Sequence, residues 1–204
     1  CVIKHIQIVH AMAPRICMHN KYMIYNANMR IFVTGATGLL GTRVVHALLD
    51  SQHEVSTVTR NATRAHEHFK NASLEIIEAD ITTQGDWQNT AGACDAIVHL
   101  AGAGIVDRRW TTSYKQVLRS SRIESTKNVA EVADKVLVCA SATGFYGDCG
   151  ERILTEQDSA GNDFLGELCS EWEVAANSAS GRVVSLRFGI ILDKRGGALA
   201  KMLP

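Results

Sequence analysis

Downstream of residue 28, short continuous apolar runs alternate with longer stretches in which apolar residues recur every three or four positions. The runs cover residues 30–34, 54–59, 74–78, 96–100, 135–140 and 183–188. They are mostly continuous Val, Ile and Leu runs, the pattern of strands buried on both faces of a parallel sheet. Helical spacing predicts helices over residues 40–51, 111–133 and 163–178. In the first, Leu40, Val44, Ala47 and Leu48 share one face while Arg43 and His46 lie elsewhere. Gly-, Asp- and Asn-rich stretches at 85–92, 144–150 and 159–161 read as loops. The alternation predicts an α/β fold with a doubly wound parallel sheet. Right-handed crossovers then order the strands 3-2-1-4-5-6 and put a ligand outside their carboxyl ends.

One junction between strand and helix carries the strongest chemical signal. Residues 30–41 read Arg-Ile-Phe-Val-Thr-Gly-Ala-Thr-Gly-Leu-Leu-Gly. Gly35 permits a tight turn, Gly38 lets backbone approach a pyrophosphate, and Gly41 lets the helix press on the strand. Thr37, Leu39 and Leu40 complete a cradle at a helix N-terminus, whose unsatisfied N–H groups and positive dipole end favour an anion. Three spaced glycines also occur in connections that hold no ligand. The preceding strand, the following amphipathic helix and the punctual second strand favour a dinucleotide-binding Rossmann fold.

Composition narrows the partners. The chain has 204 residues, 46% hydrophobic, with 21 Lys plus Arg against 21 Asp plus Glu. No overall basic field draws it to nucleic acid or an anionic membrane, and no apolar run reaches the ~18 residues of a bilayer span, so a small molecule is the expected partner. Nothing in the pattern argues against a homo-oligomer. Six scattered cysteines without a C-x-x-C pair suggest reduced thiols and a cytoplasmic setting. Residues 1–28 lack Asp, Glu, Gly and Ser and read as an extension outside the domain, with organellar import as the rival explanation. Residues 29–195 then form the cofactor domain, and 196–204 begin a substrate-binding region whose remainder is largely absent.

Further candidates stand at strand ends. The second strand closes Val58-Thr59-Arg60, with arginine where an acid would hold the ribose hydroxyls of NAD. A guanidinium suits a 2′-phosphate, which favours NADP over NAD; a solvated loop arginine is the plain alternative. Asp80 and Ile81 are placed to bracket an adenine edge, or simply to make a turn. After the fourth strand, Leu100, Ala101 and Gly102 offer small groups beside a ligand, while His99 reads as a buried core histidine. His66 and His68 read as a solvated helix face and no metal site is expected. Ser141, ending the fifth strand, is the candidate to donate to a substrate carbonyl or receive its alkoxide, with local backbone capping as the alternative.

The motifs Gly-Ala-Thr-Gly-Leu-Leu-Gly at 35–41, His-Leu-Ala-Gly at 99–102 and Ser-Ala-Thr-Gly-Phe-Tyr-Gly at 141–147 resemble the extended short-chain dehydrogenase/reductase superfamily. Arg109-Trp110-Thr111, Ser121-Arg122-Ile123, Asn162 to Leu165, Glu171-Trp172-Glu173 and Leu186 to Leu192 resemble its atypical NAD-dependent epimerase/dehydratase branch, the epimerase family proteins or sugar nucleotide epimerases. The resemblance spans residues 29–204. It implies an NADP-binding fold and a site built from Asn, Ser or Thr, and Tyr-x-x-x-Lys, in which tyrosine exchanges a proton with substrate while lysine lowers its pKa and holds the ribose. This chain departs from that set: Ser141 matches, Arg122 stands for the asparagine, and Phe164-Leu165-Gly166-Glu167-Leu168 falls where Tyr-x-x-x-Lys belongs. Tyr146 is the substitute candidate for acid/base work. Two functions follow: an NADP-dependent oxidoreductase or epimerase acting on a small polar substrate such as a nucleotide sugar, or a non-catalytic, regulatory dinucleotide-binding protein.

Overall fold

A computed structural model describes residues 28–70, 72–193, 196 and 197. The expectations for residues 1–27 and 198–204 lie outside them. The element order is β1 (Arg30–Thr34), α1 (Leu39–Asp50), β2 (Glu54–Thr59), α2 (Ala62–Phe69), β3 (Leu74–Glu78), α3 (Trp87–Ala93), β4 (Ala96–His99), α4 (Thr112–Ala130), β5 (Val136–Ala142), a 3-10 turn (Thr143–Tyr146), α5 (Phe164–Ala176), β6 (Arg182–Phe188) and a short β7 (Leu192–Asp193). The six long strands form one sheet in the order β3-β2-β1-β4-β5-β6, every neighbouring pair parallel. This is the doubly wound α/β fold that the alternation predicts.

Period-two geometry explains why the central strands are largely apolar on both faces. Ile31, Val33, Val55, Val98 and Val138 pack with Val44, Val45, Leu48 and Phe69 from α1 and α2. Their neighbours Phe32, Val58, Ile97, Leu137 and Cys139 face the other way, against residues of α3, α4 and α5 such as Trp87, Ile123, Val129 and Trp172. The central strands β1, β4 and β5 therefore spend both of their faces on core.

The residues read as loop at 85–92 need correction, because Trp87 to Gly92 lie in α3. Trp87 is only 1% exposed, stacks on Phe32 at 6.1 Å and donates from Nε1 to Thr83 O at 3.1 Å. Burial of the indole outweighs a Gly- and Asn-rich composition. The helix that His66 and His68 suggest is α2, which buries Ala65 and Phe69 one turn apart and is capped by the Asn61 side chain, which accepts from Arg64 N at 2.8 Å. β5 also runs two residues past its expected end at 140, so Ser141 pairs in register with Arg187.

Gly41 decides how closely α1 lies on β1. An added Cβ there would fall 2.1 Å from Gly35 O. Alanine normally improves a helix interior over glycine by about 1 kcal/mol. Here the clash reverses the sign, and Gly41→Ala is expected to destabilise by about 1–3 kcal/mol in urea unfolding. An unchanged or raised midpoint would contradict the packing.

Candidate active site

The sheet's winding reverses between β1 and β4, and the glycine turn lies at that switch point. Gly35 has φ +69°, and a Cβ on it would sit 2.8 Å from both Ala101 N and Leu100 C. Glycine is required there twice over, for conformation and for space. Gly38 caps α1 without a side-chain hydrogen bond, donates to Gly35 O at 3.0 Å and accepts from Thr42 N at 2.9 Å. Thr37 and Gly38 are exposed, whereas Leu39 and Leu40 are half-buried. The first turn of α1 thus presents backbone without an intervening cap, a surface that fits a pyrophosphate.

A buried polar chain holds this turn against β4. Thr34 Oγ1 lies 2.7 Å from His99 Nδ1 and accepts from Leu100 N at 3.2 Å and Ala101 N at 3.3 Å. With both lone pairs engaged, the threonine hydroxyl donates to Nδ1. Ser125 Oγ donates to Ser121 O at 2.7 Å and stands 3.3 Å from His99 Nε2, so the network assigns the proton to Nε2. His99 is fully buried, and desolvation, reinforced by the Arg122 charge, pushes its pKa down to about 4. It is the core histidine that the sequence suggests.

The residues at the ends of β2 and β3 are arranged less simply. Asp80 is held below its ordinary pKa first by Thr82 N, then by the Thr82 hydroxyl, and feels the charge of Arg60. Its carboxylate accepts from Thr82 N at 2.9 Å and Thr82 Oγ1 at 2.7 Å, forming a turn. Ile81 O accepts from Asn128 Nδ2 at 2.9 Å. Arg60 is exposed. No acid adjoins it in the chain, yet the register sets Glu78 of β3 opposite Thr59. Glu78 Oε2 accepts from Ala62 N at 2.7 Å, capping α2. Only strand pairing could reveal this acid.

Arg122 lies beneath the exposed Gly102, whose Cβ would come within 3.3 Å of Cζ. The guanidinium is buried, donates to Leu118 O at 3.2 Å and Ala103 O at 3.0 Å, and stacks on Trp172 at 5.1 Å. Trp110 stands above the loop, donating to Ile105 O at 2.8 Å and meeting Phe164 edge-on.

Ser141 and Tyr146, separated by the 3-10 turn, meet through one ion pair. Ser141 is 3% exposed and donates to Glu173 Oε1 at 2.6 Å. Arg187 grips the same carboxylate with Nε and Nη2, each at 2.8 Å, and donates from Nη1 to Tyr146 Oη at 2.9 Å and Glu156 O at 3.3 Å. Its guanidinium also covers the Phe145 ring at 3.5 Å. Burial pushes Glu173 upward, but Arg187 and Ser141 more than offset it and hold the carboxyl below its usual range. Neither Glu173 nor Arg187 belongs to the site residues that the motifs mark, although each carries a signal in the chain. Glu173 follows Trp172 on a helix face turned to the core, and Arg187 interrupts an apolar strand run.

A separate depression of about 1260 Å³ opens at the opposite end of the strands, lined by residues including Arg30, His53, Glu54 and Cys94. It lies away from the carboxyl-end loops. His66 and His68 are exposed on α2, with His68 Nε2 2.8 Å from Thr42 Oγ1. Among the described residues no helix is long and apolar enough to cross a membrane.

Fold, switch point and glycine turn together define a protein of the Rossmann class. The profile of the NAD dependent epimerase/dehydratase family matches residues 31–188, and the chain belongs to that family. It is 36% identical over 188 residues to "Epimerase family protein SDR39U1 homolog, chloroplastic" of Arabidopsis thaliana, covering 87% of this chain and 53% of that protein. With "Epimerase family protein Mb2239" of Mycobacterium bovis it shares 36% identity over 187 residues, 87% of this chain and 59% of the relative. The chain thus spans little more than half the length of these curated relatives. The nucleoside-diphosphate sugar epimerase of Corynebacterium glutamicum superposes with TM-score 0.68 at 33% identity, over 87% of this chain and 37% of that one. Bordetella bronchiseptica WbmG, solved with NAD and UDP, shares the fold at TM-score 0.67 and 23% identity, over 79% and 53% of the two chains.

The buried His99 makes stability depend on pH. Its folded pKa lies below that of the unfolded chain, so between about 4 and 6.5 the unfolded state binds the extra proton and stability is lost as the pH is lowered. The expected loss from this group is about 3 kcal/mol from pH 7 to pH 4. Urea midpoints should therefore fall less steeply for His99→Gln than for the unsubstituted chain. Parallel slopes would contradict the assignment.

Proposed function

We propose that this chain binds NADP and forms the cofactor-binding part of an oxidoreductase or epimerase acting on a small polar substrate, of which a nucleotide sugar is the best match. The observation that carries the reading is the cradle: an uncapped helix N-terminus behind a turn that only glycine can make, set at the switch point. Gly35, Thr37, Gly38, Leu39, Leu40 and Gly41 would hold the pyrophosphate. Arg60, Asp80 and Ile81 would flank the adenosine, and Leu100, Ala101 and Gly102 the nicotinamide half. When bound, the dinucleotide supplies hydride exchange. Tyr146 would meet the substrate oxygen as a donor, and Ser141, whose proton is turned to Glu173 rather than free for a carbonyl, would accept from a substrate hydroxyl. Support for the substrate class comes from the epimerase relatives and from the Corynebacterium sugar epimerase.

Two observations favour other readings. Glu78 places a carboxylate at the carboxyl end of β2, opposite Thr59, and structures of the same fold hold NAD, which together support NAD as the alternative cofactor. Phe164 to Leu168 lack the phenol and ammonium of Tyr-x-x-x-Lys, which supports a non-catalytic dinucleotide-binding role.

Calorimetric titration with NADPH and NADH separates these. NADPH is expected to bind more tightly, and Arg60→Asp should weaken it by about 10- to 100-fold, the worth of a charged hydrogen bond, while sparing NADH. Equal affinities in the unsubstituted chain would remove the NADP preference. Binding to neither would sink the cofactor reading, and binding without turnover on a panel of carbonyl compounds and nucleotide sugars would favour the non-catalytic role.

A further inference from the structure

We propose that Arg187, anchored by Glu173, is the positioning residue for Tyr146 and supplies from β6 the cation that lysine supplies in Tyr-x-x-x-Lys. The inference rests on the oxidoreductase reading above and deepens it. Its basis is the direction of each hydrogen bond. A guanidinium has five N–H donors and no acceptor. Four are engaged: Nε and Nη2 on Glu173, and two from Nη1 on Tyr146 Oη and Glu156 O. Tyr146 Oη must therefore accept from Arg187, and it retains its own proton to give. Glu173, held ionised at neutral pH, only accepts, so Ser141 must turn its proton inward to Oε1. Ser141 then has lone pairs left for a ligand. One ion pair sets opposite polarities on the two hydroxyls, a donor at Tyr146 and an acceptor at Ser141.

The arrangement is rigid as well as polarised. The carboxylate and guanidinium side chains are 13% and 17% exposed, and their contact is bidentate. Arg187 is further pinned over the Phe145 ring at 3.5 Å. The register pair Ser141 with Arg187 places the two elements side by side at the carboxyl edge of the sheet. When Tyr146 gives its proton to a substrate carbonyl oxygen, an O–H bond breaks at the phenol and forms on the substrate. The phenolate left behind faces Nη1. A bound reduced nicotinamide dinucleotide would supply the hydride that balances the reduction, and its oxidised form would take it back in the reverse direction.

The test uses the full chain with Tyr146→Phe, Arg187→Gln, Arg187→Lys and Glu173→Gln. Each variant is checked for folding by circular dichroism and for dinucleotide affinity by calorimetry. Resonance Raman difference spectra between the unsubstituted chain and Tyr146→Phe isolate the Tyr146 doublet, whose intensity ratio reports whether the phenol oxygen accepts a hydrogen bond. An acceptor signature is expected, lost in Arg187→Gln and partly restored in Arg187→Lys. Turnover on the carbonyl and nucleotide-sugar panel should fall at least 100-fold in kcat for Arg187→Gln and Tyr146→Phe, with KM and dinucleotide affinity within about threefold of the unsubstituted chain. Arg187→Lys should recover part of that loss with an altered pH profile. With dinucleotide binding intact, a doublet indifferent to Arg187→Gln, or a kcat within threefold of the unsubstituted value, overturns the positioning role. Failure of the unsubstituted chain to bind dinucleotide or to turn over any panel member falls on the reading under Proposed function and takes this inference with it.

Discussion

The approach of the turn after β1 to the end of β4 sets the geometry of everything at the carboxyl edge of the sheet. Gly35 stands so near Leu100 and Ala101 that a single methyl group would collide with backbone. Thr34 then closes the gap, its one hydroxyl serving two amides and the His99 ring. Because His99 is also tied to Ser125 of α4, the helix on the far face is linked to the same point. A network this buried has little tolerance for a missing partner, since each unsatisfied group would keep its full desolvation cost. The cradle is therefore a property of two strands and a helix held together, more than of the glycine loop alone.

Around that point the charges are distributed unequally. Arg122 is buried beneath Gly102 with backbone carbonyls and an indole face for company. Arg187 is paired with Glu173 and satisfied on nearly every side. The two arginines act differently on their surroundings: Arg122 helps keep His99 neutral, whereas the Arg187–Glu173 pair keeps a carboxylate ionised and fixes two hydroxyls. A half-buried ion pair of this kind adds little net stability after desolvation, and its value lies in orientation.

Much of this was legible in the chain, for definite reasons. Continuous Val/Ile/Leu runs have one stable home, a strand covered on both faces, and the alternation with helical spacing then leaves few topologies. The glycine spacing is equally legible because each glycine answers a local steric demand. α3 was hidden because its cause is remote: Trp87 needs Phe32, a partner 55 residues earlier that no local window contains. Glu78 was hidden for a similar reason, since it meets the end of β2 only through the pairing of Thr59 with Glu78.

The sequence by itself determined the sheet, its order and the cradle, along with the family motifs that match an epimerase/dehydratase profile over residues 31–188. These rest on local periodicity and on sterics within a few residues. Tertiary structure alone decided which polar groups meet: Ser141 with Glu173 across 32 residues, and Arg187 with Tyr146 across 41. The phenol and the cation that the motif Tyr-x-x-x-Lys delivers from one helix are brought together here from a turn and a strand. Hydrogen-bond direction and burial, which give that meeting its chemistry, exist only once the elements have packed.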